Sequence, residues 1–375
     1  MSVDLDDVAA LEAHDPADML PAIASSAAQV REAVRLSAEG KISTLSDEGR
    51  PRAVIVLGMG GSGVAGDVLT AVAGLECPLP VTVSKNYEIP AWVGGADVAI
   101  AVSYSGTTEE TLAASAEAAR RGARLVVVAG TGSELVKRAE QARALIVQLP
   151  GGRQPRASIW SLSVPVVIAG AALGLFELTP EDLESTAMRL EEVANACAPS
   201  VETFVNPAKT LAQGLSNRLA AIWGTTPMAG VAAYRMACQI NENGKQPATW
   251  GVLPEANHNQ VVAFDGPFGA LRGGSDEEEP IFRDDSDAPG LHLILLRDRT
   301  EEHPQVTRRA DVSASLARDR GVMVTEVEAH GVSRLERLAS LTGPTDWASA
   351  YLALQAGIDP SPVEAIQELK KRIAR

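Results

Sequence analysis

Ala53-Val54-Ile55-Val56-Leu57-Gly58-Met59-Gly60-Gly61-Ser62-Gly63 is the stretch on which the reading of the fold turns. Five apolar residues in a row, with no polar alternation, mark a short strand covered on both faces, as in a parallel sheet. The glycines that end it supply a tight turn into a helix. The pattern repeats. Apolar runs recur at Val81–Ser84, Val98–Ser103, Arg124–Ala129 and Ala144–Leu149, with Ala-rich helical stretches such as Glu109–Arg121 between several of them. Strand and helix alternating at this pitch predict an α/β fold with a doubly wound, mainly parallel sheet flanked by helices.

The second half repeats the pattern more weakly. Ala220–Gly224, Leu291–Leu296 and Val322–Val327 read as strands, and Thr307–Arg320 and Trp347–Ala356 as helices. A helix from Pro180 to Cys197 precedes an Ala-Pro-Ser break near residue 200. The expected division is an N-terminal helical segment over 1–46, a first α/β domain over 47–200 and a second, related one over 201–375. A length of 375 residues suits this count, at roughly 150 residues per domain.

Composition narrows the function. Thirty-three basic residues stand against 48 acidic ones, a formal charge of −15, so a broad nucleic-acid or anionic-membrane surface is not expected. A small anion is still admissible, because a pocket of backbone amides need not follow the net charge. Cys77, Cys197 and Cys238 are far apart and form no CxxC, which speaks against a disulfide framework or a structural zinc. No apolar run approaches about 18 residues, and the first 20 residues are acidic. Neither a membrane span nor a secretory signal is expected, and the expected compartment is the cytoplasm. The acidic stretch Gly269–Asp287 reads as a solvated loop, without the ligand spacing of a calcium loop.

Gly58 to Gly63 satisfies G-x-G-x-x-G between a strand and a helix, which suggests a dinucleotide site. That site needs an acid about 20 residues on to hold a ribose hydroxyl. The strand Val81–Ser84 ends instead at Lys85. Two readings then remain: a simple tight turn, or a loop whose amides face a sugar phosphate. Ser103-Tyr104-Ser105-Gly106-Thr107-Thr108-Glu109-Glu110-Thr111 says more. It ends an apolar run and opens a helix, so its hydroxyls can converge with free helix N-terminal amides on a phosphate. The competing reading is a helix cap, since Thr107-x-x-Glu110 has the form of a capping box. Capping leaves Ser103, Ser105 and Thr108 without a role.

Five histidines occur, none as HxH or HExxH, so no zinc site is expected and acid–base chemistry falls to side chains. The densest polar runs are Gln239–Lys245 and Leu253–Asn259. They hold a carboxylate, Glu242, and an imidazole, His258, sixteen residues apart among several carboxamides. Glu242 suits proton transfer at carbon, and His258 suits proton transfer at oxygen. Each taken singly reads as a surface residue; together they read as a catalytic constellation.

With GMGGSG, SYSGTTEET, Pro155-Arg156-Ala157, NENGK, LPEANHN and the terminal Ile366-x-x-Leu369-Lys370 in view, the chain resembles the bifunctional phosphoglucose/phosphomannose isomerase family, built from two sugar-isomerase (SIS) domains. The resemblance spans most of the chain. SYSG-x-T is common to many SIS domains, whereas the paired NENGK and LPEANHN is far more specific. It implies that Ser103, Ser105, Thr107 and Thr108 hold the substrate phosphate while Gly60, Gly61 and Ser62 line the reacting end. It implies that Glu242 shuttles the proton between C1 and C2, that His258 and Lys370 assist ring opening, and that Arg156 stabilises a cis-enediolate. No metal or organic cofactor is implied. A homodimer is, with His258 reaching the site of the neighbouring subunit. Folding of the two halves would then bring Glu242 within reach of a sugar anchored near Ser105.

The implied activity is interconversion of glucose 6-phosphate or mannose 6-phosphate with fructose 6-phosphate. Rival readings are a non-catalytic sugar-phosphate-binding regulator and a SIS isomerase of another phosphosugar. Departures are Thr107, where relatives commonly carry Asn, and the bulky Ser158-Ile159-Trp160 after Arg156-Ala157. Lys371 beside Lys370 is a second choice for that lysine. Gly224-Thr225-Thr226-Pro227 in the second half lacks a serine cluster, which suggests one site per subunit.

Overall fold

The computed structural model describes residues 3–271 and 289–373, so the expected acidic loop lies, from residue 272 on, outside the described residues. The chain divides into two compact units. The N-terminal unit is Ala24–Glu191 with Gly331–Ala339, and the C-terminal unit is Met1–Ile23, Glu192–His330 and Ser340–Arg375. The leading 46 residues, expected as one segment, are therefore shared: α1 (Val8–His14) and nearly all of α2 (Met19–Ala24) belong with the C-terminal unit, whereas α3 (Ser26–Glu39) belongs with the N-terminal one. Lys209 shows what holds the leading residues. Its ammonium, fully buried, donates to Asp6 and to the carbonyls of Pro199 and Val201.

In the N-terminal unit, β1 (Val54–Leu57), α4 (Gly61–Ala73), β2 (Val81–Ser84), β3 (Val98–Ser103), α5 (Glu109–Arg120), β4 (Arg124–Gly130), α6 (Glu134–Gln141) and β5 (Leu145–Leu149) follow α3. The strands form one sheet in the order β2-β1-β3-β4-β5, every pairing parallel. A short 3₁₀ turn, Pro155–Ala157, leads into α7 (Ile159–Ala172), and α8 (Pro180–Ala196) follows. Successive residues along a strand point to opposite faces, and here both faces are apolar. Val54, Val56, Val98, Ile100 and Val102 pack into one core layer, and Ile55, Leu57, Ala99 and Ala101 into the other. Each fully buried Val or Ile contributes about 1.5–3 kcal/mol. That is why the strands read as unbroken apolar runs.

The C-terminal unit continues with α9 (Pro207–Leu215), β6 (Arg218–Gly224), α10 (Pro227–Glu242), β7 (Ala248–Val252), α11 (Ala256–Asn259), β8 (Gly290–Arg297), α12 (Pro304–Asp319), β9 (Met323–Glu328), α13 (Arg334–Gln355) and α14 (Glu364–Ile373). The first residues of α13 are counted with the N-terminal unit. The sheet order is β7-β6-β8-β9, again all parallel. No described helix is long and apolar enough to cross a membrane. In both sheets the first strand lies beside the third, so the chain winds outward in two directions and leaves a crevice at the carboxyl ends of β1 and β3, and of β6 and β8.

Candidate functional site

The crevice of the N-terminal unit gathers the loops that sequence singled out. Gly60 sits at φ +54°, ψ −131°, a conformation open in practice only to glycine, and hands the chain to α4 at Gly61. Across the crevice, the loop after β3 turns at Gly106, φ +61°, where a Cβ would fall 2.0 Å from the Ser133 hydroxyl. The loops are joined directly: the Tyr104 amide donates to Ser62 Oγ at 3.3 Å. Ser103, buried, accepts from the Gly106 amide at 3.0 Å and lies 3.1 Å from Thr108 Oγ1. Ser105 and Thr107 are exposed, and Ser105 Oγ accepts from both the amide and the hydroxyl of Thr107.

The capping reading does not survive. The N-cap of α5 is Thr108, not Thr107, and no side chain caps the helix. Thr108 has turned its hydroxyl toward Ser103 instead. The positive end of α5 therefore faces the same hydroxyl-lined turn, an arrangement suited to an anion. Arg156 lies on the 3₁₀ turn Pro155–Ala157 and is largely buried. The Pro155 carbonyl lies 3.9 Å from where a Gly61 Cβ would stand. Ser158, Ile159 and Trp160, noted as bulky, are all buried as α7 begins.

Lys85, which stands where a dinucleotide site needs an acid, pairs with Asp67 of α4 at 2.6 Å and packs its stem over Gly63. Burial pushes the Asp67 carboxyl above its ordinary value, against the pull of Lys85.

The remaining residues belong to the C-terminal unit. Glu242 is the last residue of α10 and is half-buried. Its neighbours are committed to holding that helix end. Asn241 accepts from the Ala248 amide at the start of β7, Asn243 donates to Ser349 of α13, and Gly244 leaves no room for a side chain against Leu352. Lys245 donates to the carbonyls of Glu242, Pro360 and Pro362, which ties the end of α10 to the segment leading into α14. Lys370 and Lys371 are exposed on α14. His258, exposed in α11, lies beyond the other end of β7, where Leu253 bonds to Gly224 and Asn257 to Ser313.

α10 ends at Glu242, six residues before β7 begins, and His258 follows six residues after β7 ends. Sequence reading missed β7, whose Ala-Thr-Trp-Gly-Val lies at the sheet edge with only Gly251 buried.

Residues 50–173 match the SIS domain family, and residues 204–373 match the bacterial phospho-glucose isomerase C-terminal SIS domain. A bifunctional phosphoglucose/phosphomannose isomerase of Caldicellulosiruptor bescii is 34% identical over 86% of this chain and 89% of its own length. The chain belongs to the bifunctional phosphoglucose/phosphomannose isomerase family. It is an isomerase of the double-SIS type. A family member from Aquifex aeolicus is 29% identical over 86% of this chain and 91% of its own. Among solved structures, a hypothetical protein from Thermus thermophilus shares the fold at a TM-score of 0.66 and 17% identity, covering 95% of this chain and 91% of its own.

Proposed function

We propose that this isomerase interconverts glucose 6-phosphate and mannose 6-phosphate with fructose 6-phosphate, without a metal, through a cis-enediolate. The observation that carries the proposal is the uncapped α5, opening on Ser103, Ser105, Thr107 and Thr108 beside Gly60, Gly61 and Arg156. Amides and hydroxyls there would hold the phosphate, each hydrogen bond to the charged acceptor contributing about 1.5–3 kcal/mol. Ser62, tied to Tyr104, would line the reacting end with the two glycines.

In the open-chain aldose, the Glu242 carboxylate takes the C2 proton and the electron pair becomes the C1–C2 double bond of the enediolate. The same carboxyl returns the proton to C1, while a proton passes from the C2 oxygen to the C1 oxygen. Arg156 sets a fixed positive charge against the enediolate oxygens. Glucose and mannose 6-phosphates are epimers at C2, so both meet at one enediolate. His258 and Lys370 would assist ring opening. His258 would do so in the site of a neighbouring copy, in a homodimer.

A coupled assay of the purified protein with each hexose 6-phosphate, run with EDTA present, tests this reading. Turnover of both substrates is the expected outcome. Binding of both sugars without turnover would leave a sugar-phosphate-binding protein, turnover of another phosphosugar alone would change the substrate, and loss of activity restored by zinc would overturn the metal-free step.

A further inference from the structure

Arg156 is delivered by a glycine-bearing loop of the N-terminal unit. Between the end of β5 and Pro155 run Pro150-Gly151-Gly152-Arg153-Gln154, with Gly152 at φ +93°. Two adjacent glycines leave this backbone many conformations to lose, so something must hold it. The downstream side is held by Gln29, whose amide donates to the Ala157 carbonyl at 2.7 Å. The upstream side is held by a half-buried ion pair, Arg153–Glu32, and by the Tyr104 phenol. That phenol donates to the Pro150 carbonyl at 3.2 Å and accepts from the Arg153 amide at 3.1 Å, which closes the turn on itself. The Tyr104 ring is partly buried against the core, so the hydroxyl is aimed by packing. At its other end the Tyr104 amide bonds to Ser62. One residue of the hydroxyl loop thus touches both the glycine loop and the loop that carries Arg156.

We infer that Tyr104 is a positioning residue: it clamps the Pro150–Arg153 turn so that Arg156 stands at a fixed place relative to the phosphate-holding loop. The inference rests on the reading of Arg156 as the group that meets the enediolate. Because Arg156 would act in the transition state and the hydroxyl cluster would act in binding, loss of the clamp falls on turnover and spares affinity.

The test is Tyr104→Phe, which keeps the ring and removes only the two bonds. The expected result is a kcat about tenfold lower, the scale of a small misplacement of a catalytic group, with KM and competitive inhibition by inorganic phosphate within about twofold of wild type. Combined with Arg156→Ala, the Phe substitution should add little, since its effect runs through Arg156. Hydrogen exchange of amides 150–157 should quicken in Tyr104→Phe and stay unchanged in β3 and α5. Fully additive losses in the double variant, or exchange at 150–157 equal to wild type, would overturn the clamp. Quickened exchange in Tyr104→Phe with isomerase turnover unchanged by Arg156→Ala would leave the clamp standing and overturn the role given to Arg156, so the two failures are distinguishable.

Discussion

The turn after β3 and the turn after β8 occupy equivalent places in the two sheets, and they have opposite contents. In the N-terminal unit, the strand end is followed by hydroxyls and an uncapped helix, with no acid directed into the turn by any bond described. In the C-terminal unit the protein supplies its own anion. Glu302, buried, accepts from both Nε and a terminal nitrogen of Arg297 at 2.8 Å and from the Thr307 hydroxyl at 2.9 Å. Thr225, at the end of β6, hydrogen-bonds the same carboxylate and also accepts from the Asp298 amide. Burial alone would raise the Glu302 carboxyl, but Arg297, Thr225 and Thr307 hold it below its ordinary value. One architecture therefore yields one strand end followed by hydroxyls and an uncapped helix and another that holds an internal ion pair. The contrast fits the proposal of a single sugar-phosphate site per chain.

The contrast can be broken experimentally, and the largest effect belongs to the internal ion pair. Glu302→Ala leaves the fully buried Arg297 with only Asp311 and Glu326, and breaking such a buried pair costs about 3 kcal/mol or more. Chemical denaturation should show that loss while KM for hexose 6-phosphates stays put; an unchanged midpoint would show that Glu302 does not stabilise this strand end.

The hydroxyl-lined turn should respond the other way. Ser105→Ala with Thr108→Ala is expected to raise KM about tenfold or more, from two lost bonds to a charged acceptor, with little change in melting temperature. Unchanged KM would return these hydroxyls to loop structure. Acid response should also divide the units, because His14, His258, His292, His303 and His330 all lie in the C-terminal one. Burial pushes His292 down to about 4, with its ring nitrogens facing the Gly214 carbonyl and the Thr325 hydroxyl. The unfolded chain takes up that proton near pH 6.5. Stability from this group is full above about pH 6.5. It weakens as pH falls toward 4, by up to about 1.4 kcal/mol per pH unit. Denaturation followed at stepped pH should show this slope, and His292→Gln should flatten it. The smallest effect is Ser62→Ala, which removes one 3.3 Å bond to Tyr104 and should change KM about twofold. A tenfold change would mean that Ser62 itself meets the phosphate.

How far the site was legible follows from how local its signals are. SYSGTT and GMGGSG each encode their own turn, because a glycine at positive φ and hydroxyls around a helix start are short-range features. Both turns were found where expected. The capping-box spacing was only the competing reading, and local sequence does not show which way Thr108 turns its hydroxyl, which here is toward Ser103. β7 was not legible, because an edge strand carries too little apolar pattern to announce itself. Tyr104 was quoted in its motif and passed over, because its partners Pro150 and Arg153 lie more than 40 residues away.

The order of local patterns alone settled every strand of the first sheet, three of the four in the second, the α/β class and the family, because a strand covered on both faces must be apolar throughout and a tight strand–helix turn favours glycine. The tertiary structure alone decided which leading helices join which unit, that Glu302 pairs with Arg297 beside Thr225, and that Tyr104 bonds through its amide to the glycine loop and through its phenol to the turn before Arg156. These depend on contacts between residues far apart in the chain. Such contacts arise only after parallel winding sets strand ends side by side, and no run of neighbouring residues records them.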